Sequence, residues 1–389
     1  MESFDKRGQA NFSNPNESPE VLVVGGGIIG LSTAFMLKNQ GINVTVIDPN
    51  PTLGTSHYAA GMLAPVMESN PQETDLIDFN IKSREMWDDF HQEITKITGQ
   101  SIDFREIGTV SVAFNLDDKR YLHEVASFQK KFHLKSEILS TTALRTLEPM
   151  LNPSISGGIY APNDHVVNPR LTLQALKSCL DLDSLIEDSV TELTVESGKL
   201  ATVITRNGLR FTPSYVVLAT GIRGNNILGM PDELRIDVRP VKGQILRLKA
   251  LSNDSLPRVI VRGIVNGRFI YIVPRSNGEI VVGATMEEKG FDDTVTAIAV
   301  KEMLEDALSV IPGIDEASIL EFQSGFRPAT NDNAPVVGKS EIDNIIYAFG
   351  HFRHGILEAP LTASIVTSIV TEKSIPEEAK VADPNRFRK

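Results

Sequence analysis

Val21–Asp48 reads VLVVGGGIIGLSTAFMLKNQGINVTVID. A short apolar run, Val21 to Val24, meets three glycines and then a helical spacing of Ile29, Ala34 and Leu37. Gly41 closes that helix, and a second apolar run, Ile42 to Ile47, ends in Asp48. The order is strand, glycine turn, helix, strand, acid. Gly25, Gly27 and Gly30 fit G-x-G-x-x-G. The first glycine permits a tight turn, the second lets backbone approach a pyrophosphate, and the third lets the helix lie close on the strand. The helix N–H groups then face the phosphates. Asp48 stands about twenty residues further on, where a carboxylate accepts a hydrogen bond from a ribose hydroxyl. A lone glycine motif carries little weight, but strand, helix and acid all stand in place here. The stretch is a dinucleotide site.

Working outward, 389 residues suffice for one large domain or two intertwined ones with an ample core. A composition 41% hydrophobic and 23% charged is that of a soluble globular protein. A net charge of −12 argues against nucleic acid or an anionic membrane as partner. The single cysteine, Cys179, allows no disulfide framework and no CxxC metal site, so no metal is expected. It falls in the helical stretch Leu171 to Leu180 and reads as a packed, inert thiol. No apolar run approaches the roughly eighteen residues that span a bilayer. Residues 1–19 are polar and lack the apolar core of a secretory signal, so a disordered tail and a cytoplasmic protein are expected.

After Asp48 and Pro49 comes a loop dense in small residues, with Gly54, Thr55 and Ser56, then Ala59, Ala60, Gly61 and Met62. Such a loop allows close approach of a bulky planar or phosphorylated ligand. Helices are expected over Ile77 to Ile97, Asp117 to Phe132 and Ser140 to Met150, and a strand through Gly108. Gly157 to Pro169 reads as a loop ending in a helix cap. Its His165 is more simply a loop hydrogen-bonder than a catalytic group. Strands follow near Val190 and Leu200. Then YVVLAT, Tyr215 to Thr220, runs into Gly221 as a buried strand whose small end residues suit a bound nucleotide.

From Arg239 the pattern changes to alternating strands separated by Asn266-Gly267 and Asn277-Gly278, an antiparallel sheet with Tyr271 on one face. A helix is expected from Val295 to Val310. Arg327 lies on an extended stretch. The segment Gly350–Gly355, GHFRHG, then opens a last helix from Ile356, whose free N–H groups face a ligand. The expected fold is α/β with α+β: a discontinuous, Rossmann-like nucleotide domain (residues 20–90, 151–235 and 325–389) and a mainly antiparallel substrate domain (91–150 and 236–324).

NAD enzymes usually complete their site in consecutive βαβ units, whereas here a second glycine turn comes some three hundred residues after the first, as if gripping the far end of FAD. The segments VVGGGIIG, AAGMLAP, PVKGQ, YIVPR, VVGATM, GFRPAT and GHFRHGILEAP stand in this order over Val21 to Ile369. In them the chain resembles the D-amino-acid oxidase family of FAD flavoenzymes, and within it the glycine-oxidising members of thiamine biosynthesis. The resemblance implies a glutathione-reductase-like FAD domain. Ile28 and Ile29 would meet the pyrophosphate, Asp48 and Pro49 the ribose, and Val190 the adenine. Thr55, Ser56, Ala60, Gly61 and Met62 would touch phosphate or flavin. The turn of Gly350, His351, Phe352, Arg353, His354, Gly355, Ile356 and Leu357 would take the flavin's pyrimidine end. Asp48 departs from a position often occupied by Glu. Cys179 matches no flavin-linking position, so FAD is expected to be noncovalent.

For the reaction, the resemblance makes Arg327 the anchor of a substrate carboxylate, with Tyr271 donating to the same group and Arg353 as a further contact. A planar guanidinium suits bidentate carboxylate binding. The substrate is then glycine, sarcosine or a small D-amino acid, the acceptor O2, the product an imine or 2-oxo acid with H2O2, and the protein a homo-oligomer. Met286 reads equally as pocket or core, and Lys242 and Gln244 as flavin contacts or structural groups. The alternatives are a D-amino-acid dehydrogenase passing electrons to a quinone, a noncatalytic flavin-binding subunit, and an NAD dehydrogenase, which would purify colourless.

Overall fold

The computed structural model describes residues 18–223 and 227–388. Most of the expected tail lies outside the described residues, but Ser18 is tied in, its hydroxyl accepting from Thr212 N at 2.8 Å.

The opening stretch folds as its pattern dictates. Val21–Val24 and Val44–Ile47 are parallel neighbours, and Ile28–Asn39 is the helix between them. They lie within a six-stranded sheet in the order Val336–Lys339, Ile345–Phe349, Tyr215–Leu218, Val21–Val24, Val44–Ile47, Leu185–Ile186. Only Val336–Lys339 runs antiparallel to its neighbour. Both faces are covered, which is why these strands read as unbroken apolar runs. Val21 and Val23 pack with Phe35, Trp87 and the helix Ala359–Val370, while Leu22 and Val24 pack with Leu193 and Val203 on the other side. Trp87 is fully buried and donates its indole N–H to Leu357 O at 3.0 Å.

The second layer is an eight-stranded sheet in the order Ser318–Ala329, Arg239–Lys249, Glu279–Gly283, Arg268–Pro274, Ile260–Val265, Thr109–Ala113, Gly157–Ala161, Glu137–Leu139. It is antiparallel apart from the pairing of Ile260–Val265 with Thr109–Ala113.

Two expectations are corrected. Gly157 to Pro169 is not a loop: Gly157–Ala161 and His165–Val166 are strands. Gly158 serves close approach, since a Cβ there would lie 2.3 Å from Ser111 O, whereas Gly157 is set by its φ of +141. The last helix opens at Ala359 rather than Ile356, with Pro360 in its first turn, where a residue without an N–H costs nothing. The helices expected near Ile77, Asp117 and Val295 run Ile77–Thr98, Leu116–Lys131 and Ala297–Val310. Gly157–Ala161 joins the eight-stranded sheet, and Ser318–Ala329 continues through position 325 unbroken.

Candidate active site

A cavity of about 1420 Å³ takes its walls from both sheets. That exceeds the roughly 300–1,000 Å³ of a drug-sized site and suits a long cofactor plus a small substrate.

At one end the walls are backbone. Gly25 has φ +116, and a Cβ there would lie 2.3 Å from Ala219 O. A Cβ on Gly30 would lie 1.9 Å from Gly25 O. These two glycines are demanded by the chain's own packing. Gly27 is different: it lines the cavity, and a Cβ on it would meet only Ser56 Oγ at 3.5 Å. Its lack of a side chain leaves room for a ligand rather than for the protein. Asp48 accepts from Gly26 N and Asn50 N, both at 2.7 Å, which fixes its carboxylate in the cavity wall. Ser56 Oγ accepts from Ile28 N at 3.1 Å. The Thr220 hydroxyl is buried beside the cavity without a protein partner. An orphan hydroxyl at a strand end, an oriented carboxylate and an open glycine together fit a dinucleotide.

The cavity is also lined by Ile28, Ile29, Pro49, Thr55, Ala60, Gly61, Met62, Val190 and Gly221, and from the late turn by Gly350, His351, Phe352, Arg353, Gly355 and Ile356. Gly30, His354 and Leu357 do not line it. Gly30 holds helix to strand, His354 is buried with Nδ1 3.7 Å from Glu68, and Leu357 belongs to the core. His351 donates to or accepts from Thr362 Oγ1 at 2.9 Å, and burial pushes its pKa down to about 3, so it stays neutral.

At the other end the walls are charged side chains from the eight-stranded sheet and the loop after Met62. Arg327 is half-buried and donates to Thr285 O at 3.1 Å and Lys242 O at 3.3 Å. No carboxylate pairs with it among the described residues. Burial holds its pKa down somewhat, against the opposing influence of Tyr271 and Glu68. Tyr271 lines the same end, and burial raises its hydroxyl above the usual phenol range, so it remains a neutral donor. Two strand glycines make the room. A Cβ on Gly243 would sit 2.5 Å from the Arg327 guanidinium, and one on Gly283 would sit 2.3 Å from the Tyr271 hydroxyl. A glycine inside a strand is itself a signal of close approach, yet sequence reading passed over these two.

Arg353, expected to face the substrate, is in the wall but committed elsewhere. It forms a forked pair with Glu73, Nη1 lying 3.0 Å from Oε1 and Nη2 on Oε2. Glu68 pairs with Arg262. Burial would raise the Glu68 carboxyl, but Arg262, His354 and Arg353 outweigh it and bring it down to about 2. Glu68, Glu73 and Arg262 escaped sequence reading because nothing in their local pattern sets them apart from surface charges. Met286 lines the cavity mouth and is 64% exposed, not a core residue.

Lys242 and Gln244 fall on the strand face turned away from the cavity. Lys242 pairs with Asp292 at 3.0 Å, and Gln244 binds Glu287 and the Thr296 backbone. Val241, Gly243 and Ile245 alternate with them and line the cavity. His165 is buried away from it, 3.5 Å from Glu106. Cys179 packs with its Sγ 3.3 Å from Ala175 O, and burial pushes its thiol up to about 11.

The family model of FAD-dependent oxidoreductases of the DAO type matches residues 20–369. The chain belongs to that family. This FAD-dependent oxidoreductase is 32% identical over 359 residues to a bifunctional ThiO/ThiG protein of a Nostoc species, covering 91% of this chain and 53% of that protein. It thus spans about half the length of the curated relatives heading its matches. It is 28% identical to the glycine oxidase of Bacillus subtilis, covering 92% of this chain and 95% of that one. The crystal structure of glycine oxidase from Geobacillus kaustophilus superposes with a TM-score of 0.86 at 28% identity, covering 95% of this chain and 99% of that one. No helix among the described residues is long and apolar enough to cross a membrane.

Proposed function

We propose that this flavoenzyme is an oxidase of glycine or a comparably small amino acid (sarcosine or a small D-amino acid), producing the imine, which hydrolyses to the 2-oxo acid and ammonia (methylamine in the case of sarcosine), while O2 becomes H2O2. The observation that carries the reading is Arg327. It is a cation recessed beside Tyr271, hydrogen-bonded among the described residues only to carbonyls, at the end of a cavity whose other end fits FAD. Such a guanidinium is completed by a ligand carboxylate.

FAD, when bound, supplies the two-electron oxidation and passes the electrons to O2. The chain's own part is placement. Arg327 takes the carboxylate by its fork, and the neutral Tyr271 hydroxyl donates to the same group. The room above Gly243 and Gly283 fixes the height of both. No side chain need take a proton if the amine enters neutral, so catalysis rests on orientation. Asp48 and the glycine turn hold the adenosine half noncovalently. A role in supplying the imine to thiamine synthesis, in a cytoplasmic homo-oligomer, belongs to the same proposal; the relatives named ThiO/ThiG and glycine oxidase support its substrate.

Anaerobic mixing of the purified yellow protein with glycine tests it. Bleaching of the flavin band, then peroxide on admitting air, is the expected result. A band unmoved by glycine, sarcosine and D-alanine alike sinks the reading.

A further inference from the structure

The pair that occupies Arg353 has a consequence for substrate choice. Glu73 is nearly as buried as a core residue, its side chain 7% exposed against 17% for Arg353. It is braced from behind: Asn333 Nδ2 donates to Glu73 Oε1 at 2.8 Å, and Arg239 Nη2 donates to Asn333 Oδ1 at 3.1 Å. Arg353 lies against the Phe352 ring, 5.3 Å from its centroid, which stops the guanidinium from turning freely. The fork that could bind a ligand carboxylate is therefore already filled by a protein one.

Around Arg327 the recessed wall carries the guanidiniums of Arg262, Arg327 and Arg353 and the carboxylates of Glu68 and Glu73, while at the solvent-exposed rim Arg239 pairs with Glu288 and Asp293 is open to water. Pairing cancels two of the three positive charges and leaves Arg327. Burial pushes His354 down to about 4, and it raises the wholly buried Glu358 carboxyl, which has no hydrogen-bond partner among the described residues, well above the usual carboxylate range, so burial disfavours a charge on either. One net positive charge matches an amino acid with a neutral amine and a single carboxylate. In a cavity of low dielectric a mismatch of one charge is heavily penalised.

We propose that Glu73 is a specificity-determining residue: by occupying Arg353 it leaves the substrate end charged for one carboxylate and rejects amino acids that carry two. The inference rests on the proposed amino-acid oxidase function. It also recasts Arg353 as part of the charge setting rather than a second anchor.

The test uses the FAD-loaded wild type, Glu73→Gln, Arg353→Gln and the double variant, with glycine and iminodiacetate, which is glycine bearing a second carboxymethyl group. Glu73→Gln raises the ratio of kcat/KM for iminodiacetate over glycine by about tenfold or more, the scale of one freed charge-assisted contact. Arg353→Gln leaves Glu73 uncompensated and weakens glycine use by about tenfold or more. The double variant cancels the charge error and recovers most of what Arg353→Gln lost. A double variant no better than Arg353→Gln would show direct substrate contact by Arg353 and overturn the proposal.

If Glu73→Gln fails to hold FAD, the comparison of Arg353→Gln with the double variant decides alone, since the double variant buries no unpaired charge at this pair. Failure of the function itself is distinguished by ligands that undergo no turnover. Acetate and malonate are titrated while the melting midpoint is followed. Malonate stabilising Glu73→Gln no better than acetate, relative to wild type, counts against the proposal whether or not glycine is oxidised, and so does a malonate gain in the double variant, which has no freed guanidinium.

Discussion

At the nucleotide end of the cavity the chain offers backbone and absent side chains; at the substrate end it offers charges gathered from distant segments. Gly25, Gly27, Gly30 and Asp48 fall within one stretch of strand, helix and strand, so their spacing is fixed by local geometry. Arg327, Tyr271, Arg353, Glu68 and Glu73 come from separate strands and loops, and each is placed by tertiary packing. A cofactor of constant shape can be met by a fixed turn. A substrate is met by a balance of charges, which a single substitution can tip.

The largest expected effect lies at the rigid end. Gly30→Ala forces a Cβ to within 1.9 Å of Gly25 O, a backbone atom that cannot swing aside. It should cost about 3 kcal/mol or more, seen as loss of the cooperative thermal transition; an unchanged midpoint would refute the packing role. Next comes Arg327→Ala, which should leave a yellow, folded protein and lower kcat/KM for glycine by about 2–5 kcal/mol in transition-state terms. Steady-state kinetics beside a melting curve separates the two, and unaltered kinetics removes the anchor. Gly27→Ala sharpens the contrast with Gly30. Its Cβ meets nothing closer than 3.5 Å in the protein, so the apoprotein should melt as before. FAD affinity should fall by about tenfold, or ~1.4 kcal/mol, by flavin fluorescence titration; equal damage to both would collapse the distinction.

The smallest effect concerns the loop that carries Glu68. Asp164 is wholly buried and accepts from Val66 N at 3.1 Å and Met67 N at 2.9 Å. Burial lifts its pKa to about 7, against those hydrogen bonds, which favour the charged form. With the folded value above the unfolded one, the folded state holds an extra proton between about 4 and 7. Its contribution to stability is therefore present at low pH and declines as pH rises through that window. Relative to Asp164→Asn, the wild type should lose stability from pH 4.5 to pH 7.5 by about 1 kcal/mol or more, measured by urea unfolding at both. A difference that stays flat, or grows, with pH would contradict a raised Asp164.

These contrasts mirror what was legible in the sequence. The glycine turn, Asp48, the buried strand leading to Thr220 and the antiparallel sheet beyond Arg239 all follow from periods and turn residues, which act over a few positions. Gly158 misled because glycine in a turn and glycine under a neighbouring strand look alike in one dimension. The face of Lys242 follows from strand alternation only once Arg327 is known to pair opposite Val241. Glu73 meets Arg353 across some 280 residues of sequence, and no local rule reaches that far. Arg327 and Arg353 stood out through resemblance; the pairing of Glu73 with Arg353 became visible only in three dimensions.

The two sheets are stitched together at several points. Thr55 Oγ1 donates to Phe326 O at 2.8 Å, and Phe352 N to Pro328 O at 2.9 Å. The fully buried Arg275 donates to the carbonyls of Ala60 and Val167. Parting them like jaws would strand several buried donors and acceptors at once, each at a cost of about 1–3 kcal/mol. Traffic to Arg327 must then pass through a doorway rather than an opening mouth. Phe269, Met286 and Phe291, exposed and lining the cavity, are its frame. On this view their rotamers, which interconvert quickly compared with domain motion, set the size of what can enter.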